Sequence, residues 1–287
     1  MPSPPQICLS IDTEFWDSPE YFGVAADKHR GFGNAGCQAL LRLFAELGIH
    51  TTFFVVAEFA ERHPRTIYQI LEEGHEVASH SCTHRRLSRL PLEQQTWEIN
   101  QSKVMLEQRF GIAVRGFRSP GNQIIQGHFG MLDRAGYAYD SSWHPALLPG
   151  RIGELLKSRP GMQQDGIIEI PISTLGALPV SWVWLRNSGP WLARWAARYN
   201  HLLRRAAVFY LHCWEFEPLP SVRGVPGYVT RRTGGEFLNM LAGLIRSFQR
   251  QGKVVGRMDR ILDGLCGCEW EDEFIPDIEI HSEGQKR

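Results

Sequence analysis

The sequence predicts an α/β fold with parallel strands. Strand and helix signals alternate over the first 170 residues, glycines punctuate the joins, and chemically reactive side chains recur just after the strands. Strands separated by helices need crossover connections, which set neighbouring strands parallel. A chain of 287 residues, 43% hydrophobic and 22% charged, can bury a sizeable core.

Ile7 to Ile11 is a short apolar run ending at acidic residues. Asn34 to Leu47 carries Leu40, Leu41, Phe44 and Leu47 at helical spacing and stops at Gly48. Thr51 to Ala57, β-branched and aromatic, reads as a buried strand; Pro64 to Glu73 reads as a helix before the strand Glu76 to Ser79. A long helix over Pro91 to Phe110 precedes the strand Val114 to Phe117, and a helix over His128 to Ala135 precedes the strand Tyr137 to Tyr139. Beyond these, Ile167 to Ile170 and Ala207 to Leu211 read as strands, and Gly235 to Gln251 as an amphipathic helix. Val254-Val255 reads as a last short strand before the helix Met258 to Leu265.

Asp12, His80, Arg118 and Asp140 each stand at the C-terminal end of a strand. In α/β barrels that edge gathers the active site, because the loops there converge over the barrel mouth. His80-Ser81-Cys82-Thr83-His84 puts two imidazoles four residues apart, Asp12-Thr13-Glu14 ends one strand in carboxylates, and His212 ends another. Imidazole and carboxylate together suit Zn²⁺, and three protein ligands leave a position open for water. A metal-dependent hydrolase is the function these residues imply.

Taken together, five segments resemble the motifs of the polysaccharide deacetylase family, the carbohydrate esterase family 4 or NodB-homology enzymes. They are Ser10-Ile11-Asp12-Thr13-Glu14, His80 to His84, Arg118-Ser119-Pro120-Gly121, Asp140-Ser141-Ser142-Trp143 and Leu211-His212. The stretch Phe209 to Pro218 is also similar to a branch found with bacterial exopolysaccharide genes. The resemblance implies a distorted (β/α)7-type barrel with a helical insertion and a C-terminal extension. It implies His80, His84 and Glu14 as ligands of Zn²⁺, with Co²⁺, Ni²⁺ or Mn²⁺ as substitutes. It further implies Asp12 as general base, His212 as general acid, Arg118 as the partner of Asp12, and a second carboxylate holding the His212 ring. The backbone N–H of Gly121 would face the oxyanion, with Pro120, Trp143, Leu211 and Trp214 around the substrate. That substrate would be an N-acetylated or N-formylated amino sugar of a precursor, lipid-linked sugar or oligosaccharide. A cyclic-imide or allantoin-type amidase and a non-catalytic sugar binder are the rival readings.

Three positions depart from the common pattern. Thr13 follows Asp12, so the ligand carboxylate returns at Glu14, with Asp17 or Glu20 as fallback. Gly121 stands where an aromatic residue is common. Ser142 stands where aspartate is common, which makes Asp140 the candidate for that role. Trp143 and Trp214 read equally as core or as a pocket wall, Cys82 as a small filler, and histidines such as His128 and His144 as surface or packing residues.

The formal net charge of +0 gives no global pull toward nucleic acid. Met1-Pro2-Ser3-Pro4-Pro5-Gln6 has neither a cationic start nor a signal-type apolar run, and scattered cysteines fit reduced thiols, so a cytoplasmic location is expected. Cys266-Gly267-Cys268 is the one close cysteine pair, without partner ligands nearby. A single domain is expected over residues 1–268, with a Trp/Arg-rich helical insertion at 178–206 and an acidic, then polar, tail at 269–287. Within that insertion, residues 182–205 offer a candidate contact with the inner face of a membrane. The plainer alternative is a helix packed on the barrel with solvated arginines. Oligomeric state is not legible.

Overall fold

Side-chain parity along the strands organises the molecule. In the computed structural model, which describes residues 6–17, 20, 22–24, 31–147 and 163–266, β1 (Ile7–Thr13) turns Ile7, Leu9 and Ile11 toward an outer layer of helices. Cys8 faces the opposite side, packed with Phe54, Ala78, Tyr139, Ile170 and Val208 inside the barrel. Successive strand residues point to opposite faces, so Ser10, Asp12 and Glu14 follow Cys8 up the interior.

The outer helices and the remaining strands follow in chain order. They are α1 (Asn34–Leu47), β2 (Thr52–Val55), α2 (Ala57–Arg62), α3 (Pro64–Glu72), β3 (Glu76–Ser79), α4 (Leu92–Phe110), β4 (Gly116–Phe117), α5 (His128–Arg134) and β5 (Tyr139–Asp140). A hairpin of β6 (Gln163–Gln164) and β7 (Ile167–Glu169) comes next, then a smaller one of β8 (Thr174–Leu175) and β9 (Leu178–Pro179). The helices α6 (Trp182–Ser188) and α7 (Pro190–Leu202) precede β10 (Ala207–His212), and α8 (Gly227–Thr230), α9 (Gly235–Arg250) and α10 (Met258–Cys266) complete the described chain.

Seven of these strands run parallel in the order β10-β1-β2-β3-β4-β5-β7, with β6 antiparallel at the edge. The sheet curls into the (β/α)7-type barrel expected from the motifs. Its two edges meet where Ser173 N–H donates to Val208 O and Val208 N–H donates to Ser173 Oγ, both at 2.8 Å. At the lower end Met258, Ile261 and Leu262 of α10 plug the barrel.

The expected elements are present with shifted ends, and three differences stand out. The strand expected over Thr51 to Ala57 ends at Val55, and Ala57–Arg62 forms a helix. Val254-Val255 gives a single bridge to Ile7 rather than a strand. Arg186, expected among solvated arginines, is fully buried. Within the candidate insertion, α7 packs Leu192, Ala193, Ala196 and Ala197 inward. Residues 269–287, the expected tail, lie outside the described residues, as do Gly267 and Cys268.

Candidate metal centre

The register of β1 against β10 pairs Asp12 with His212, so an acid and an imidazole arrive together at the barrel mouth. From β1, Glu14 reaches one step further. Its Oε2 lies 3.3 Å from His80 Nε2 and 2.6 Å from His84 Nε2. One ligand atom from each of Glu14, His80 and His84 lies within 4.8 Å of the other two.

Each imidazole is aimed by a partner on its other nitrogen. Nδ1 of His80 lies 2.8 Å from the carbonyl of Arg118, which can only accept, so that nitrogen carries the proton and Nε2 faces the centre. Nδ1 of His84 lies 2.7 Å from Asp17 Oδ2. The fallback ligand Asp17 therefore sits behind His84 instead of at the centre, and Glu20 lines a neighbouring cavity of about 320 Å³. Burial pushes the Glu14 carboxyl up, but the positive charge available at His84 wins and holds it well below the usual range. Burial alone would lower His84; Glu14 and Asp17 on either side raise it well above its ordinary value.

The loop carrying this pair has unusual backbone. Ser81 and His84 both adopt positive φ, 68° and 62°, which L-residues with side chains rarely do. Glu98, buried on α4, compensates. Its Oε2 accepts the N–H groups of Cys82 at 3.0 Å and Thr83 at 2.8 Å, and its Oε1 takes Thr83 Oγ1 and Arg85. Cys82 thus does more than fill space: its amide is one of the anchors of the histidine loop.

Asp12 is fixed by Arg118, whose Nη1 donates to Oδ1 at 2.6 Å while Nε and Nη2 hold Ser141. The guanidinium also stacks 4.0 Å over the Phe54 ring. Pro120-Gly121 forms the corner of a turn closed by Asn122 N–H on Ser119 O at 2.8 Å. Gly121 takes φ 63° there, the left-handed value that the third residue of a Pro-Gly corner requires.

On the opposite side, His212 Nδ1 meets Glu215 Oε1 at 3.1 Å, three residues on. The other oxygen of Glu215 is paired to Arg186, which also donates to the carbonyls of Arg231 and Val229. An arginine from α6 thereby orients the carboxylate that orients His212. Burial lowers the His212 pKa, but hydrogen bonding to Glu215 and the Glu14 charge leave it raised overall. The Trp214 ring stacks on His212 at 4.7 Å, and its Nε1–H donates to Glu14 Oε1 at 2.9 Å. Trp214 is therefore neither plain core nor a sugar platform: it is buried, with its ring stacked on His212 and its indole N–H on Glu14.

Other expected residues lie elsewhere. Leu211 has the wrong parity: between Tyr210 and His212 it points into the helix layer and packs in the outer core. Asp140 is fully buried and bound to Ser142 Oγ at 2.7 Å and His128 Nε2 at 3.2 Å. It also shares a hydrogen bond with Glu169, whose pKa burial and the Asp140 charge push well up. This carboxyl pair braces the base of the mouth, and Trp143, donating its N–H to Glu169, belongs to that brace. His128, read as packing, is part of it.

A cavity of about 630 Å³ opens above Asp12, Glu14, His80, His84 and His212, with Gly121 and Asn122 on one wall. Trp182, Trp184, Tyr210, Tyr228 and His144 form much of the rest. Trp182 stands edge-on to His212 at 5.3 Å and holds φ 35°, an unfavourable backbone for so bulky a residue. The sequence marks Trp182 and Trp184 through the Trp/Arg-rich segment and Tyr210 through the Phe209–Pro218 stretch, but its motifs give none of these wall residues a place in the site. Parity along β10 alone could have found Tyr210, two residues before His212.

Residues 25–139 match the family described as polysaccharide deacetylase, taking in the His80–His84 and Arg118–Gly121 segments. This chain carries a polysaccharide deacetylase domain. Residues 151–251 match a domain of unknown function, DUF3473, the C-terminal domain of exopolysaccharide-associated deacetylases. β10 of that second region pairs with β1, which pairs in turn with β2 of the first, so the two matched regions share one sheet. The peptidoglycan-N-acetylmuramic acid deacetylase PdaC of Bacillus subtilis is 34% identical over 71 residues, which is 25% of this chain and 15% of PdaC. This chain thus matches only a small part of that relative's length. A Mycobacterium smegmatis protein assigned as a polysaccharide deacetylase superposes with a TM-score of 0.65 at 19% identity, covering 93% of this chain and 92% of that one. A wild-type CE4 family pseudoenzyme from Bacillus anthracis superposes at 0.53 with 15% identity, covering 92% and 67%. Both likenesses establish the barrel alone.

Proposed function

We propose that this chain is a metal-dependent N-deacylase of an amino sugar. The observation that carries the reading is the convergence of Glu14, His80 and His84 between Asp12 on one side and His212 on the other. The donor set fits a divalent transition metal. Two imidazoles present Nε2 because Nδ1 is tied elsewhere, and the buried Glu14 Oε2 that faces them makes no well-aligned hydrogen bond. Held by Glu14, His80 and His84, Zn²⁺, or Co²⁺, Ni²⁺ or Mn²⁺ in its place, would acidify a water and polarise the amide carbonyl.

The remaining chemistry belongs to side chains. Asp12, oriented by Arg118, takes the proton from the attacking water through Oδ2. The N–H of Gly121 faces the oxygen that gains charge as the carbonyl carbon becomes tetrahedral. His212, steadied by Glu215, gives its Nε2 proton to the nitrogen as the C–N bond breaks. Acetate or formate and a free amine leave.

The cavity favours a sugar over a small cyclic imide. At about 630 Å³ it exceeds what one small ring fills, and two of its walls, Trp184 and Tyr228, are half-exposed, so the mouth opens to the surface. Aromatic walls suit the apolar faces of pyranose rings. A pure sugar binder needs neither Asp12 nor His212, and both are held in working positions.

Two measurements test this reading. Protein purified without chelator is expected to hold about one transition-metal ion per chain, as three protein ligands at one centre require. Acetate or formate release is then followed over nucleotide-linked, lipid-linked and oligomeric amino sugars. A metal-loaded protein that hydrolyses none of them while cleaving a cyclic imide would move the assignment to the imidase reading.

A further inference from the structure

Helix α7, which packs beside α6 and β10, turns an aromatic and cationic face outward. Its inner side is small and apolar, with Leu192, Ala193, Ala196 and Ala197 packed on the barrel. On its outer side Trp191 is 52%, Trp195 54% and Leu202 80% exposed. At 100° per residue these three fall within one narrow stripe, flanked on one side by Arg194 and Arg198 and on the other by Tyr199. The Arg198 guanidinium lies 5.5 Å from the centroid of the Trp195 ring. Arg204 and Arg205 follow the helix, and no acidic residue occurs between Leu178 and Arg205. Exposed indoles on a soluble surface are costly unless something covers them.

We propose that this face of α7 docks on an anionic phospholipid surface. Indole rings settle at the headgroup level, where an apolar body and a polar N–H are both satisfied. Arginines without neighbouring acids complement an anionic leaflet. A second copy of this chain fits less well, since a two-fold contact would set the same arginines against each other. The adjoining helix α6 links this surface to the chemistry. Its Trp184 is both exposed and part of the cavity wall, and its Arg186 holds Glu215. The docking surface is independent of the proposed hydrolysis; the substrate class it selects, an amino sugar carried on a membrane lipid, rests on that reading.

The test is co-sedimentation of the full chain with vesicles of phosphatidylcholine, with and without phosphatidylglycerol. Binding is expected only to the anionic vesicles and should weaken with salt. R194Q/R198Q should lower partitioning about 25-fold, taking each arginine near the surface as about five-fold. W191A/W195A should abolish binding. Both variants should keep the wild-type melting temperature, metal content and turnover of a soluble N-acetylated amino sugar, since none of the four residues lines the cavity. Equal binding to neutral vesicles, or none to either, would overturn the proposal. So would a concentration-dependent dimer that W191A/W195A dissolves in place of vesicle binding. If soluble substrate is cleaved but vesicles are ignored, docking alone fails; if vesicles bind and no amino sugar is cleaved, the hydrolase reading fails instead.

Discussion

Asp17 Oδ2 sits 2.7 Å behind Nδ1 of His84, on the far side of the ring from Glu14. A residue that the sequence offers as a substitute ligand thus orients His84, one of the three proposed ligands. Asp17→Asn is expected to lower metal affinity by about 10- to 100-fold with little change in melting temperature. Competition with a chelating dye measures this. Unchanged affinity would remove Asp17 from the centre's support.

Arg186 and Glu215 form a fully buried ion pair behind His212. Breaking it from one side leaves a buried charge alone, so Glu215→Gln and Arg186→Met are each expected to destabilise by about 3–5 kcal/mol. The double variant should regain part of that stability. Its turnover should nevertheless stay about 100-fold down, because the His212 ring has lost its anchor. Urea unfolding and kcat, measured on all three proteins, separate the two effects. Recovery of activity together with stability would show that the pair only supports the fold.

Glu98 anchors the histidine loop through two backbone N–H groups. Glu98→Ala strands both in a buried setting, at about 1–3 kcal/mol each, and is expected to weaken metal binding about tenfold. Glu98→Gln keeps one oxygen for those amides and should restore most of the affinity. Titrating both variants with Zn²⁺ decides it: equal weakening would mean that charge, and not the amide anchor, is what matters.

Glu76 supplies a pH signature away from the metal ligands. At the lower end of the barrel it accepts hydrogen bonds from Thr52, Tyr139 and the Asp259 N–H. Burial first, and then the nearby Asp259 charge, raise its pKa from 4.5 to about 7. A carboxyl raised by folding favours the native state while protonated. Its contribution is therefore fully present below about pH 4.5 and is lost as pH rises through about 7. The amount is on the order of 3 kcal/mol. Glu76→Gln mimics the neutral form and should flatten this part of the stability curve, gaining on wild type above pH 7. Denaturation from pH 4 to pH 8 reads it; parallel curves would mean that Glu76 stays charged when buried.

The reach of the sequence can be judged residue by residue. Asp12, His80, Arg118 and His212 were legible because each follows a strand whose apolar pattern is plain, and parallel strands deliver such residues to one edge. Glu14 comes from the resemblance alone, with Asp17 and Glu20 as fallback, and strand parity agrees by putting it on the same face as Asp12. Leu211 misled because its neighbour His212 carries the motif while its own side chain points the other way. Asp140 sits at the expected strand end, yet its carboxyl turns to Glu169 and His128, partners that local spacing does not reveal.

Pattern and order along the chain determined the fold class, the barrel edge that gathers the chemistry, and the two histidines at its centre. They could do so because strand period and strand–helix alternation are local properties. Only the tertiary structure decided which carboxylate faces those histidines and which one stands behind them. It also decided that Glu98 anchors their loop, that Arg186 of α6 reaches Glu215, and that α7 leaves its tryptophans outside. Each of those outcomes depends on residues far apart in sequence meeting in a buried place, where geometry and the cost of a stranded charge select the partner.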